Sequence, residues 1–196
     1  MAGPLVVNPD VPTYAQVMGH HATVRTAIRE LFSTSNPANA DRSEADIHAA
    51  GMAALRAQEL RDMMALLAFL EACFRLDYEC RKRLNLKDPL SRAMIKLFNR
   101  KRNKAGLMDD IVKGWLKEKV ISHRDYDRIN SAFQLRHWLA HGQYWSPAKI
   151  KPHDLTDLAE FIEGLINAGL FRTGNLNMGG HYHHITKDFH EWGPTG

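Results

Sequence analysis

A long apolar stripe between residues 63 and 84 constrains the fold of this chain more than any other feature. Its members follow steps of three and four residues: Met63, Leu66, Leu70, Cys73, Cys80 and Leu84. That spacing places the side chains on one face of an α-helix. Upstream, Ser43-x-x-Asp46 is a variant of the capping box that opens helices, so we predict one helix from there to about Leu84. A helix of this length needs other helices to cover its apolar face.

Start and stop signals divide the rest of the chain into further helices. A first helix is predicted over 13–32, and a short helix is predicted around Ile111 and Trp115. Capping side chains mark four helix starts: Ser43, Asp88, Ser122 and Asp154. Two glycines mark helix ends: Gly142 and Gly169. No segment shows the alternation of a strand, so we predict an all-α helical bundle with a long central helix and flexible N- and C-terminal tails.

Composition sets the limits on size and compartment. The chain has 196 residues, 44% of them hydrophobic and 24% charged, which are ordinary values for one globular domain. No apolar run is long enough to span a bilayer, and the first residues lack the pattern of a signal peptide. Cys73 and Cys80 are roughly 10 Å apart if they share one helix, too far for a disulfide. We therefore expect a cytoplasmic protein without a membrane partner.

The stretch 135–142 contains the residues best suited to catalysis. It reads Leu-Arg-His-Trp-Leu-Ala-His-Gly and contains Arg136, His137 and His141. Arginine holds a phosphate with a planar fork of donors, and histidine transfers protons near neutral pH. No cysteine or serine nucleophile and no carboxylate metal cage accompany them. The combination favours cleavage of RNA, in which the nucleophile is the 2′-hydroxyl of the substrate.

The same stretch resembles the Arg-x4-His signature of the HEPN superfamily. Arg136 and His141 match the paired residues, and His137 occupies the polar position after the arginine. The run 69–78 also resembles bacterial HEPN domains, and the resemblance covers residues 45–168. It implies an arm and helix over 1–44, a HEPN-like domain over 45–168 and a Gly/His-rich tail over 169–196. It further implies a metal-independent ribonuclease without cofactor, a homodimer, and an antitoxin protein as partner.

HEPN nucleases often carry an acidic residue on an earlier helix, and this chain offers Glu71 and Asp77. Asp77 lies within the apolar stripe, where a carboxylate needs a partner because an unpaired buried charge is very costly. That partner is either Arg81, one turn later, or Arg136 and the histidines of the motif. Glu71 lies off the stripe and is expected to pair with Arg75. Periodicity favours Asp77 as the residue that orients the site.

Positive charge is concentrated between residues 81 and 104. This segment has ten Lys or Arg and one Asp, a net charge of +9, against −5 for the rest of a chain whose total is +4. Such asymmetry favours a polyanion as partner, although a solvated basic surface is the alternative. Seven of these residues are the predicted RNA contacts: Arg81, Lys82, Arg83, Arg100, Lys101, Arg102 and Lys104.

Three other interpretations of the motif remain open. His137 and His141 have the His-x3-His spacing of zinc-binding helices, although Trp138 stands where metalloproteases have glutamate. His141 could also simply cap the helix. The domain as a whole could bind nucleotide, nucleic acid or a partner protein without catalysis, or be a helical adaptor whose basic run provides solubility. A histidine cluster in the tail is a separate candidate for binding a transition metal: His181, His183, His184 and His190.

Overall fold

The computed structural model describes residues 12–141 and 154–172, which form helices and no strand. The prediction of an all-α fold is therefore confirmed for these residues. Six α-helices follow in chain order: α1 (Tyr14–Leu31), α2 (Glu44–Arg83), α3 (Pro89–Lys101), α4 (Lys113–Lys117), α5 (His123–Ala140) and α6 (Leu155–Asn167). The predicted long helix is α2, with 40 residues. Residues 1–11 and 173–196, which include most of the predicted N-terminal arm and of the tail predicted over 169–196, lie outside the described residues, as does the predicted stop at Gly142. The first residues of that predicted tail, 169–172, are described, and Phe171 packs against Phe74 and Trp115.

The helices begin where their capping side chains predict. Ser43 accepts a hydrogen bond from the Asp46 N–H at 3.1 Å and donates its hydroxyl to the Asp46 carboxylate at 2.6 Å. Asp88 caps α3 by accepting from the Ser91 N–H, and Pro89 occupies the first helical position. These bonds satisfy N–H groups that have no partner inside the helix. After the C-terminal end of α6, Gly169 has a φ of 62°, the left-handed conformation that glycine adopts without strain.

The chain divides into two compact units, and the divisions fall inside α2, α5 and α6. Within the described residues, unit 1 contains Leu70–Asn130 and residues 163–172, and unit 2 contains Pro12–Phe69 and Ser131–Ile162. None of the helices within 12–141 and 154–172 has both the length and the apolarity to cross a membrane.

An aromatic cluster forms the centre of unit 1. The rings of Phe74, Trp115 and Phe171 lie 5.0 to 5.2 Å apart between centroids, in edge-on and tilted arrangements that aromatic pairs prefer. Phe74 and Trp115 are fully buried. The predicted short helix around Trp115 is in fact two pieces, a π-helical segment (Leu107–Val112) followed by α4. Both Ile111 and Trp115 point into the core, as expected from their spacing.

Unit 2 joins α1 to the first half of α2 through a turn with a 3₁₀ segment (Pro37–Asn39). The Asn39 amide donates to the carbonyls of Leu31 and Ser33 at 2.8 and 3.0 Å, which satisfies acceptors at the end of α1. A hydrophobic core fills the unit: Tyr14, Val17, Ile47, Met63, Leu66, Leu67, Leu135, Leu155, Leu158 and Ile162.

The predicted apolar stripe on α2 is buried except at its last position. Met63, Leu66, Leu70, Cys73 and Cys80 are all buried, and neither cysteine forms a disulfide. Leu84 is 44% exposed, so its assignment to the core is wrong. The reason is that α2 ends at Arg83, and the left-handed residue Asn85 turns the chain away immediately afterwards.

An ion pair closes the turn between α3 and the π-helical segment. The Lys101 ammonium donates to both oxygens of Asp110 at 2.7 and 2.8 Å, and the Gly106 N–H donates to the same carboxylate at 2.7 Å. The Lys101 hydrogen bond is the largest of the influences that lower the pKa of Asp110 below its usual 3.8. A carboxylate with a lowered pKa stabilises the folded state at pH values above its ordinary pKa, and this contribution is lost as the pH falls through the folded-state value.

We therefore predict that Asp110→Asn lowers the free energy of unfolding by about 1 kcal/mol at pH 7. The difference from the wild type should shrink as the pH falls below about 4, because the wild-type carboxylate becomes protonated there. Urea titrations at several pH values measure both effects. Asp109→Asn removes the same charge from an exposed neighbour and is the control. A difference that stays constant down to pH 2.5 would contradict the assignment.

Candidate active site

The Arg–His motif lies at the C-terminal end of α5. This helix opens with a reciprocal cap, in which the Ser122 hydroxyl accepts from the Asp125 N–H and the Asp125 carboxylate accepts from the Ser122 N–H. Along the helix, Ile129, Ala132 and Leu135 are buried at steps of three. The burial of these side chains fixes the rotation of α5, so the residues that follow Leu135 are presented at a defined angle.

The two histidines of the motif form a pair on one side of the helix. The rings of His137 and His141 have centroids 4.1 Å apart and planes inclined by 57°. Both residues are exposed, and Arg136 is half-buried beside them. The His141 N–H still donates to the His137 carbonyl at 3.1 Å, so the helical geometry continues through the second histidine. All three residues belong to unit 2, and together they offer two proton carriers and one guanidinium within six positions.

Glu71 forms the ion pair that its spacing predicts. The Arg75 guanidinium donates to the Glu71 carboxylate at 2.7 Å, one helical turn away in unit 1. This contact neutralises the carboxylate along the surface of α2. The role of Glu71 in the motif's chemistry remains a prediction.

Asp77 has a structural partner. Its side chain is fully buried, and the Arg81 guanidinium donates to one carboxylate oxygen at 2.5 Å. The Arg172 N–H donates to the other oxygen at 2.8 Å. Of the two partners considered from the sequence, the ion pair with Arg81 is confirmed. Because both oxygens are occupied within unit 1, the position of Asp77 is accounted for by the fold, and a role for Asp77 in orienting the motif remains a prediction.

Arg81 is only 3% exposed and binds more than Asp77. One terminal nitrogen donates to the Asp88 carboxylate and the Ser91 hydroxyl, each at 3.1 Å, and the other donates to the Leu170 carbonyl at 3.4 Å. We call these residues, with Asp77, the Arg81 network. A guanidinium buried in this way cannot contact RNA, so Arg81 is removed from the predicted RNA-binding set.

Burial and hydrogen bonding act in opposite directions on the acids of the network. Removal from water raises the pKa of Asp77, against the opposing effects of Arg81 and the Arg172 N–H. For Asp88, desolvation is outweighed by hydrogen bonds from Ser91 and the charge of Arg81, and the pKa is lowered. Of the two carboxylates, Asp88 is thus the one that the surroundings hold most firmly in its charged form.

Other basic residues of the 81–104 segment differ in their surroundings. The Lys82 ammonium lies 4.2 Å from the centroid of the Phe98 ring, a cation–π contact, and Arg83 is half-buried. Lys101 is neutralised by Asp110. Three of the predicted RNA contacts are exposed: Arg100, Arg102 and Lys104.

Unit 2 contains a polar cluster that was not predicted from the sequence. His21 of α1 and Asp62 of α2 are joined at 2.8 Å, and the Gln58 amide donates to the other Asp62 oxygen at 3.0 Å. Asp62 and Gln58 are buried. The only local signal was the spacing of four between Gln58 and Asp62, because His21 lies 41 residues earlier. The cluster satisfies its own polar atoms and fixes α1 on α2.

Potential metal ligands do not gather in the described part of the chain. No group of three or more His, Cys, Asp or Glu residues there is placed to hold an ion. The histidines of the tail lie outside the described residues. Comparison with protein-family models, curated proteins and solved structures gives no match to this chain. Functional inference therefore depends on the chemistry of the residues themselves.

We predict that Arg81→Met destabilises unit 1 severely, by about 3–5 kcal/mol, because it leaves the Asp77 carboxylate buried without its counter-ion. Arg83→Met, two residues away on the same helix, is the matched control and should cost far less. The double variant Asp77→Leu with Arg81→Met removes both charges and should recover part of the loss. Urea unfolding measures all three. Equal stability of the Arg81 and Arg83 variants would show that the network contributes little.

Proposed function

We propose that this protein is a HEPN-like, metal-independent endoribonuclease that cleaves RNA by attack of the 2′-hydroxyl on the adjacent phosphate. The observation that carries the proposal is the exposed pair of imidazoles, His137 and His141, with rings 4.1 Å apart beside Arg136. A second support is the match of Arg136 and His141 to the HEPN signature.

The proposed reaction needs one group that accepts a proton and one that donates a proton. A neutral imidazole takes the proton of the 2′-hydroxyl, whose oxygen then attacks phosphorus. A protonated imidazole gives its proton to the departing 5′-oxygen. The products are a 2′,3′-cyclic phosphate and a 5′-hydroxyl. We assign His141 to one of these roles and His137 to the other or to orientation of the site.

Arg136 has the electrostatic role in this scheme. Negative charge accumulates on the non-bridging oxygens as the phosphorane forms, and a guanidinium directed at them stabilises the transition state more than the ground state. Its planar fork also fixes the orientation of the phosphate. The remaining proposed properties, namely a homodimer, an antitoxin partner and a role as toxin or defence component, follow from the family resemblance.

A non-catalytic binding module is the second candidate. The observation that favours it is the buried ion pair of Asp77 with Arg81 inside unit 1, which holds the carboxylate that periodicity favours as the orienting acid. A HEPN-like site without an orienting carboxylate could retain RNA or nucleotide binding and lack turnover. The experiment below distinguishes the two.

We predict that His141→Ala and Arg136→Ala each lower RNA cleavage by about 10²-fold or more, because each removes a group that acts in the transition state. The assay uses mixed RNAs in EDTA with end-group analysis of the products. His123→Ala, an exposed histidine at the other end of α5, is the matched control and should cleave normally. Activity that disappears in EDTA and returns with zinc would support the His-x3-His metal site instead. A wild-type protein that binds RNA but cleaves none would support the binding module.

A further prediction concerns the assembly. HEPN nucleases typically place two motif sets across a two-fold axis, so we expect a dimer with composite sites. Arg136→Ala and His141→Ala chains, each inactive alone, should recover activity when mixed if the two residues act from different subunits. Light scattering at micromolar concentration measures the assembly, and differently tagged chains prove that a heterodimer has formed. A monomer that cleaves at full rate would exclude the composite site.

A further inference from the structure

Five basic residues along α3 and just after it form an exposed positive surface on unit 1. We call this the α3 basic surface: Arg92, Lys96, Arg100, Arg102 and Lys104. Within the described residues none of the five forms an ion pair, whereas Arg81 and Lys101 of the same stretch are both paired. Arg92 does donate to the Lys87 carbonyl at 2.7 Å, so exposure to solvent, and not the absence of every contact, distinguishes the five residues.

Three members of this surface form a straight row on α3. Arg92, Lys96 and Arg100 are spaced by four residues, which places their Cα atoms about 6 Å apart along one side of the helix. The opposite side carries the buried residues of this helix: Leu90, Met94 and Leu97. A spacing of this size is comparable to the separation of neighbouring phosphates along a single nucleic-acid strand. Each cation of the row can therefore meet a different phosphate.

Arg102 supplies an independent observation, because its backbone is strained. It has φ 50° and ψ −131°, a conformation that glycine adopts easily and other residues rarely do. The chain is held there by two hydrogen bonds: the Arg102 N–H donates to the Phe98 carbonyl, and the Tyr78 hydroxyl donates to the Arg102 carbonyl at 3.2 Å. Both bonds use the backbone alone. Glycine would adopt this conformation at lower cost, so the turn itself does not require the arginine side chain.

We propose that the α3 basic surface binds the phosphate backbone of single-stranded RNA. Arg92, Lys96 and Arg100 contact successive phosphates, and Arg102 and Lys104 extend the contact beyond the end of the helix. The choice of RNA rests on the proposed function, whereas the row and the strained arginine support a strand of phosphates directly. The surface lies in unit 1 and the Arg136–His141 motif in unit 2, so this is a second site, one that binds substrate without taking part in the chemistry.

The test measures binding of a 20-nucleotide 2′-O-methyl RNA by fluorescence anisotropy in EDTA over a range of salt concentrations. This strand has no free 2′-hydroxyl and cannot be cleaved by the proposed route. Arg92→Gln/Lys96→Gln/Arg100→Gln should weaken binding about tenfold or more and reduce the salt slope by about 2, at about 0.7 per phosphate contact. The control, Lys113→Gln/Lys117→Gln/Lys119→Gln, removes three exposed charges from α4 and its C-terminal end and should leave the slope unchanged. Equal effects of the two triple variants would overturn the proposal.

A second pair of variants tests the strained arginine. Arg102→Gly should raise the melting temperature by about 3 °C, because it relieves strain, while it lowers the salt slope by about 0.7. Lys119→Gly is the matched control, since Lys119 also has a positive φ, of 57°, and an exposed side chain. It should raise the melting temperature without affecting binding. Unchanged RNA binding by the Arg102 variant would overturn its role.

Three further outcomes are decisive. Tighter binding to phosphatidylserine vesicles than to the strand, with the same dependence on the α3 basic surface, would assign the surface to a membrane and overturn the proposal. Binding of the 2′-O-methyl strand with no cleavage of ordinary RNA would leave this site standing and remove the proposed ribonuclease activity. If all α3 variants cleave ordinary RNA normally and bind the 2′-O-methyl strand as the wild type does, the ribonuclease activity stands and the α3 binding site is overturned.

Discussion

The buried guanidinium of Arg81 is the interaction on which unit 1 depends. Taking an arginine and an aspartate out of water costs several kcal/mol for each ion, and this is offset only when geometry and hydrogen bonding are nearly complete. Here the guanidinium bonds Asp77, Asp88, Ser91 and the Leu170 carbonyl, and its carbon lies 5.6 Å from the Trp115 ring centroid. The end of α2, the start of α3 and the segment 170–172 must therefore be in place together for any one of them to be stable.

This dependence explains why the residues of the basic segment differ in their surroundings. The same run of charge that looks uniform in the sequence contains residues that fold inward and residues that face solvent. Arg81 lies on the buried face of α2 because it follows Asp77 by one turn, and Lys101 is held by the Asp110 carboxylate. The remaining charges, on the outer side of α3, contribute nothing to the core. A count of charge cannot separate these groups, since the difference lies in burial.

Local signals predicted the fold well. Helix starts at Ser43, Asp88 and Ser122 depend on contacts three residues away, so the sequence contains the whole interaction. The ion pairs Glu71–Arg75 and Asp77–Arg81 were predictable for the same reason, because one helical turn separates the partners. The position of the apolar stripe followed from helical periodicity alone.

Contacts between distant segments were not predictable. The His21–Asp62 pair joins residues 41 positions apart, and the Arg172 N–H meets Asp77 across 95 positions. The π-helical segment before α4 also lacks a sequence signal. At the candidate site, periodicity placed His137 and His141 on one side of α5, and the structure brings their rings together. Arg81, one of the two partners that the sequence offered for the buried Asp77 carboxylate, is the one that the structure shows, and a role for Asp77 in orienting the site remains a prediction.

The two cysteines both lie in unit 1, so the reactivity of their thiols can report local opening of this unit. Both thiols lie on the part of α2 that belongs to unit 1, and both are buried. The Cys80 thiol donates to the Arg172 carbonyl, and burial together with the charge of Asp77 raises its pKa. Alkylating reagents react with the thiolate form of cysteine. The folded protein therefore slows the reaction at Cys80 in two ways, because burial restricts access and the raised pKa keeps the thiol protonated. The rate of thiol modification consequently records how often residues 170–172 detach from α2, independently of any motion around the histidines.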